Sequence, residues 1–401
     1  MQIAIINTLA KHKSIGKISY GLQQYMRSKG HNAYIFYGRE YEEKDNDPYL
    51  IRIGNDFDLR MHGGLSRVFG GEGTYSKLAT YKMLKTFEEL NIEAVCLLNI
   101  HGYYLNQPLL FKWLGEHKTR LIYVMLDEYP FLGKCTYSYE CNKFMTKCEK
   151  CPHYKEYPKS WFIDCSTRMF ELKRKMYKLV PQCIFVGIEY TVERAKKSAL
   201  CKNATFFVAD EAVDLRNVYY PRNTEELRKE LGIPLDNKII VTVSPFPNAR
   251  KGSINFFNAA KLLEHNKNIS FVHVGFKADT KICPSNYYPI GYVKDQDLLA
   301  SYYSLGDLFV QTSTAETIPA ACLEALSCGT PVLGFNSSGI PYCADEKHGT
   351  FVEKDNVDEL ARVILNTPKK DDTVISSCRK YAELRYDSIE YYKKLTDLLT
   401  D

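Results

Sequence analysis

Short apolar runs alternate with amphipathic stretches along most of the 401-residue chain. QIAIIN, near the start, is a strand-length apolar run that ends in the polar segment TLAKHKSIGKIS. It leads into a helical pattern in which Ile18, Leu22, Tyr25 and Met26 share one face. NAYIFYG reads as the next strand. AVCLLNI, PLLFKWLGEH and RLIYVML then repeat strand, helix and strand, and QCIFVGI before YTVERAKKSA repeats the unit again. Such alternation predicts a parallel sheet covered by helices.

The pattern then breaks and restarts. DLRNVYYPRNTEELRKELGI reads as a linker with Pro221 and a short helix, and KIIVTVS opens a second series: INFFNAAKLLEH, ISFVHVG, DLLASYYSLGD, LFVQTS, AACLEALSCG and PVLGF. The expected class is α/β, with two Rossmann-like domains joined near residues 205 to 220, which suits a chain longer than one usual domain. The boundaries follow as 1–205 for the first domain, 206–380 for the second and 381–401 for a last helix, DSIEYYKKLTDLL, that crosses back to the first. Neither domain carries G-x-G-x-x-G after its first strand, which disfavours a dinucleotide cofactor. No repeat of solenoid period is present.

Composition narrows the setting. With 45% apolar and 25% charged residues the chain is an ordinary globular protein. MQIAIINTLA has neither the charged n-region nor the long apolar stretch of a signal peptide, and no run approaches the roughly 20 residues that span a bilayer. A cytoplasmic placement is therefore expected. Thirteen cysteines, an odd number scattered along the chain, do not form a secreted disulfide framework. Residues 1–200 hold 30 Lys and Arg against 21 Asp and Glu, a net of +9, whereas the remainder holds 23 against 27, a net of −4. RMFELKRKMYK (168–178) sets Met169, Phe170, Leu172 and Met176 beside Arg168, Lys173, Arg174, Lys175 and Lys178. That pattern suits either a solvated helix with an apolar inner face or a contact with an anionic membrane surface or acidic acceptor. Nucleic acid is disfavoured, because no binding module accompanies the charge.

The densest candidate chemistry lies in AETIPAACLEALSCGTPVLGFNSSG (315–339), where Glu316 and Glu324 stand eight positions apart. LFVQTS is a buried strand, so TAETIP is the loop at its carboxyl end, where open α/β sheets bind ligands. The next helix begins near Pro319, leaving backbone N–H groups beside Glu316 as an anion site. Glu324, about two turns on, could accept both hydroxyls of a ribose; alternatively the pair is a dipole-favouring acid and a surface glutamate. Arg250 and Lys251 follow the strand KIIVTVS with Gly252 beside them, either as phosphate-facing cations or as an exposed pair. His101 follows AVCLLNI at another strand end with Gly102 beside it, a placement that favours function over a structural role.

E-x7-E followed by EALSCGTPVLGFNSSGIPY strongly resembles the donor-site signature of the retaining family 4 glycosyltransferases, which have the two-domain GT-B fold with parallel sheets facing a central cleft. The resemblance extends over most of the chain through ARKG, LGDLFVQTS, NIHGYYLNQPLLFKWL and DEYPFLGKCTYSYEC, and looks like the branch that builds bacterial surface polysaccharides (capsule, exopolysaccharide or O-antigen). It implies that Glu324 holds the nucleotide ribose, that Glu316 and the loop through Thr317, Ile318, Pro319 and Ala320 lie against the donor sugar, and that Arg250 and Lys251 contact the pyrophosphate. It implies also that His101 contacts the sugar near the reacting carbon and that Gly16, in the loop after the first strand, approaches the phosphates. Lys17 beside Gly16 is an exposed lysine by default. Two departures stand out: SPFPN replaces a further arginine of many relatives, and Leu126 replaces a histidine before Asp127, leaving Asp127 as the polar group near the acceptor.

The implied activity moves a sugar from a nucleoside-diphosphate donor, such as a UDP-sugar, to a glycan or lipid-linked acceptor, with retention. Catalysis calls for no cofactor, since Arg250, Lys251 and a helix N-terminus supply positive potential for the leaving diphosphate without a metal. With no evident carboxylate nucleophile in the first domain, same-face substitution is the favoured route. The basic first half suits a peripheral position on an anionic inner membrane face. A sugar-nucleotide epimerase or a non-catalytic binding protein of the same fold are the alternatives. Cys135, Cys141, Cys148 and Cys151, followed by His153, give C-x5-C-x6-C-x2-C-x-H in a polar, Tyr-rich insertion, 133–157. Structural zinc, free or redox-sensitive thiols, and disulfides all remain open for it.

Overall fold

The computed structural model describes residues 1–39, 47–279 and 282–401. The chain divides into two compact units, Met1–Asp210 with Ile389–Asp401, and Glu211–Ser388.

Among the described residues the first unit holds seven parallel strands: β1 (Gln2–Leu9), β2 (Asn32–Arg39), β3 (Leu50–Arg52), β4 (Ala94–Leu97), β5 (Arg120–Val124), β6 (Ile184–Gly187) and β7 (Thr205–Val208). They lie in the order β3-β2-β1-β4-β5-β6-β7. Ile3, Ala4, Ile5 and Ile6 of β1 are wholly buried, as a strand covered by helices on both faces requires. The helix Lys13–Ser28 follows β1 and buries Ile18, Leu22 and Met26, while Tyr25 is half-buried beside Tyr392. Phe36, Phe87, Phe111 and Phe170 anchor the core of this unit.

The second unit holds six parallel strands: β8 (Lys238–Val243), β9 (Ile269–Val274), β10 (Tyr287–Ile290), β11 (Leu308–Gln311), β12 (Val332–Asn336) and β13 (Gly349–Glu353). Their order is β10-β9-β8-β11-β12-β13, with Ile240, Phe256, Phe271 and Leu333 in the core. In each sheet the winding reverses once, between β1 and β4 and between β8 and β11. Loops leaving those strands at their carboxyl ends diverge there and open a crevice.

The junction differs from the sequence expectation. TFFV pairs with β6 as β7, so the first unit runs to Asp210 rather than to residue 205. The helix Asp372–Arg385 stays in the second unit, where Arg379 donates to the carbonyl of Ser327 at 3.1 Å, and the final segment therefore starts at Ile389 rather than 381. The last helix, Ser388–Thr400, places Leu395 and Leu399 in the first unit's interior, and Arg120 Nη1 donates to the Leu399 carbonyl at 3.1 Å. Residue 21 must be glycine at this seam, because a Cβ there would stand 2.3 Å from the Tyr392 hydroxyl.

The basic helix Ser166–Leu179 is more than a solvated face. Met169, Phe170 and Met176 are buried and Arg168, Lys175 and Lys178 are exposed, but Lys173 is only 1% exposed. Its ammonium donates to the carbonyls of Tyr129 at 2.5 Å and Leu132 at 2.9 Å, and burial pulls its pKa down to about 7. None of the described helices is long and apolar enough to cross a membrane.

Candidate active site

In the second unit, the loops after β8 and β11 are laced together by their backbones. Thr314 N donates to the Arg250 carbonyl at 2.8 Å, and Thr312 Oγ1 donates to that of Lys251 at 3.3 Å. Gly252 makes this approach feasible: its φ is +59°, and a Cβ would stand 1.9 Å from the Thr312 carbonyl oxygen. The lacing brings three charges together. Glu316 Oε1 lies 2.8 Å from Arg250 Nη1 and 2.6 Å from Lys251 Nζ, and the same Arg250 nitrogen donates to the Ala315 carbonyl at 2.9 Å. The Glu316 side chain is 7% exposed, against 32% for Arg250 and 27% for Lys251, so the carboxylate sits beneath two partly open cations. Thr317 and Ile318 are buried beside it.

Pro319 stands at the N-cap of the helix Ala320–Ser327 and offers no side-chain cap to its first N–H groups. Glu324 lies on this helix, half-buried, with Oε2 accepting from the Tyr303 hydroxyl at 2.6 Å. A third carboxyl joins them. Glu211 is raised to about 8, first by burial and then by the charges of Glu316 and Glu324, so it carries a proton at neutral pH. Sequence reading missed Glu211, because the acidic stretch ADEAVD lies in what reads as linker.

In the first unit, His101 follows β4 and is 6% exposed. Its Nε2 is 2.6 Å from Asp127 Oδ2, and its Nδ1 is 3.1 Å from the Tyr157 hydroxyl. A carboxylate accepting from Nε2–H leaves Nδ1 to accept from Tyr157, so a ligand reaching Nδ1 competes with that phenol. Asp127, expected as the polar group near the acceptor, is the hydrogen-bond partner of His101, and its Oδ1 accepts from Tyr129 N at 2.9 Å. Beneath the loop lies Glu72, 5% exposed, whose Oε1 accepts from the amides of Gly102 at 2.9 Å and Tyr103 at 3.2 Å, while Oε2 accepts from the Tyr129 hydroxyl at 2.9 Å. Glu72 and Tyr157 lack any sequence signal of this role.

Gly16 departs from expectation. It lies in the first turn of the helix Lys13–Ser28, not in the preceding loop, and a Cβ there would stand 2.8 Å from the Lys11 carbonyl carbon, so its absence lets the backbone at Lys11 pack close. Lys17 is exposed. The cysteines of the insertion gather around one small cavity: Cys135, Cys141, Cys148, Cys151 and His153 all line it. Cys135 Sγ and Cys151 Sγ are 3.7 Å apart, and all thirteen cysteines are unbridged. The insertion is also tied to the core through Phe144, 1% exposed and facing Phe131 at 5.7 Å.

Two Rossmann-like units, with charged loops at the crevice of one and a histidine at the crevice of the other, define a two-domain α/β protein with parallel sheets. Residues 223–384 match the model of the glycosyl transferases group 1. WcaC of Escherichia coli K12, a glycosyl transferase named for colanic acid biosynthesis, is 22% identical over 352 residues, covering 85% of this chain and 84% of its own. An N,N'-diacetylbacillosaminyl-diphospho-undecaprenol alpha-1,3-N-acetylgalactosaminyltransferase of Campylobacter jejuni is 24% identical over 239 residues, covering 56% of this chain and 62% of its own. The crystal structure of HepE from Anabaena in complex with UDP superposes with a TM-score of 0.67 at 14% identity, over 100% of both chains. Residues 223–384 therefore match the glycosyl transferases group 1, and the whole chain has the GT-B fold.

Proposed function

We propose that the enzyme transfers a sugar, with retention, from a nucleoside-diphosphate donor to a lipid-linked or growing glycan in surface polysaccharide assembly. The observation that carries the reading is the convergence of Arg250 and Lys251 on Glu316, at the crevice of the second sheet and beside an uncapped helix N-terminus. Both cations are held by Glu316. A diphosphate competes for them, and the charge that grows as the glycosidic bond breaks strengthens its claim. Once drawn from Glu316, the two cations stabilise the leaving phosphate, and catalysis needs no further cofactor in this reading. Glu324 accepts from the ribose hydroxyls, its geometry set by Tyr303. His101, oriented by Asp127, lies by the donor sugar, and the leaving diphosphate serves as the base for an acceptor arriving on the same face. UDP-sugars are the first donors to test, since HepE binds UDP and, in a further complex, UDP-glucose.

A membrane-facing acceptor side is supported by Trp161, Phe162 and Ile163, which are 52%, 73% and 46% exposed in the basic first unit. Trp161 N donates to the Arg67 carbonyl, next to the exposed Phe69. Aromatic residues among basic ones suit an anionic bilayer surface.

Calorimetry with nucleotide sugars, followed by NMR of the transferred product, tests the proposal. Glu324→Ala should weaken the binding of the active donor by about 1.5–3 kcal/mol through lost charge-assisted hydrogen bonds. The new linkage should keep the donor's anomeric configuration; inversion, or unchanged affinity in the variant, contradicts the assignment.

A further inference from the structure

We propose that Cys135, Cys141, Cys148 and Cys151 form a structural zinc site that orders the insertion. The four cysteines, 17 residues from first to last, surround a single cavity of about 20 Å³, room for one small occupant. The 3.7 Å between Cys135 Sγ and Cys151 Sγ is the edge of a tetrahedron, about 3.8 Å when each sulfur stands about 2.3 Å from the ion. It is far beyond the roughly 2.0 Å of a disulfide. Among the described residues no three such side chains are yet gathered at coordination distance, so Cys141 and Cys148 close the shell by rotating into the cavity they already line.

Two of the sulfurs already accept hydrogen bonds from the backbone. Backbone N–H groups of Gly133 and His153 donate to the sulfurs of Cys148 and Cys151, the outer-shell bonds that orient and stabilise metal-bound sulfur. Residue 133 has to be glycine for this approach, because a Cβ would stand 2.8 Å from that of Cys148. Two buried ammonium groups, Lys134 at 4% and Lys173 at 1% exposure, flank the cluster. Their hydrogen bonds go to carbonyl oxygens: Lys134 to Tyr154 and Pro158, Lys173 to Tyr129 and Leu132. Zinc binding releases four thiol protons and leaves a centre of net charge −2, whose field favours the protonated form of both lysines. Four thiolates leave no open position, so the ion is structural. Its reach extends to the active site, since Lys134 brackets Tyr157, and the Tyr157 hydroxyl bonds His101.

Elemental analysis of the full-length protein, purified without chelator, should find about one zinc per chain. A thiol-specific mercurial should release it, and Co2+ in its place should show the visible thiolate charge-transfer bands of a tetrahedral site. Cys148→Ser combined with Cys151→Ser should lose the metal and become cleavable by protease between residues 133 and 157. If that variant fails to fold, the wild-type measurements decide alone. Wild-type protein that is metal-free, takes up neither Zn2+ nor Co2+ and keeps the insertion protease-resistant overturns the proposal, as does a disulfide found by non-reducing peptide mapping. Metal content is read independently of sugar transfer, so neither result depends on the functional assignment.

Discussion

The two crevices arise from the same strand order yet are built in opposite ways. At β1 and β4 the chemistry is turned inward: His101 is held by Asp127 and Tyr157, and Glu72 ties down the loop beneath it. At β8 and β11 it is turned outward, with Arg250 and Lys251 about one third exposed above a buried Glu316. The first arrangement fixes one side chain in one orientation. The second stores positive potential where a ligand can claim it. Sheet topology therefore decides where the chemistry sits, and loop hydrogen bonding decides whether it positions or attracts.

The largest effect should come from the outward crevice. Arg250→Ala and Lys251→Ala should each lower kcat for sugar transfer by about 10²–10³-fold, as loss of a donor to growing negative charge does, while affinity for the free nucleoside barely changes. Steady-state kinetics beside nucleoside titration separates the two, and wild-type turnover in both variants would remove these cations from the mechanism.

In the inward crevice, Asp127→Asn keeps the acceptor atom for His101 but removes the charge that orients and polarises the ring. Transfer should fall by about 10²-fold with donor affinity and melting temperature unchanged, and the pH–rate profile should shift. A pure stability loss with an unshifted profile would make the pair architectural.

The smallest effect concerns Glu211, which lies half-buried with the outward charges. Its pKa is 4.5 when free and about 8 in the folded protein, so the folded state holds a proton that the unfolded chain gives up. Stability from this group is present below about pH 4.5, declines as pH rises towards 8 and is flat above. Glu211→Gln should match the wild-type melting temperature at pH 4.5 and exceed it by a few degrees at pH 8.5. Equal melting temperatures across that range would place the carboxyl in water.

Much of this was legible because it is local. Apolar runs of strand length separated by 3.6-periodic helices identify two parallel-sheet units, and strand ends identify the loops of His101, Arg250, Lys251 and Glu316 before any coordinates. β3, β7, β10 and β13 were not read; they are the edge strands of the two sheets, three to five residues long and only partly buried, so no continuous apolar run marks them. The Glu316 triad was half legible. The residues were nominated singly, but a carboxylate shared by two cations 65 and 66 positions earlier depends on two loops meeting.

The sequence by itself determined the fold class, the repeat of strand and helix, and which loops carry charge, because periodicity and composition act over one turn or one strand. Only the tertiary structure decided that Asp127 serves His101, that Glu72 and Tyr157 enclose them, that Lys173 is buried instead of solvated, and that Glu211 keeps its proton. Each of these depends on groups 26 or more residues apart meeting where water is excluded. There, burial and a partner's charge, which no local pattern records, set what a side chain does.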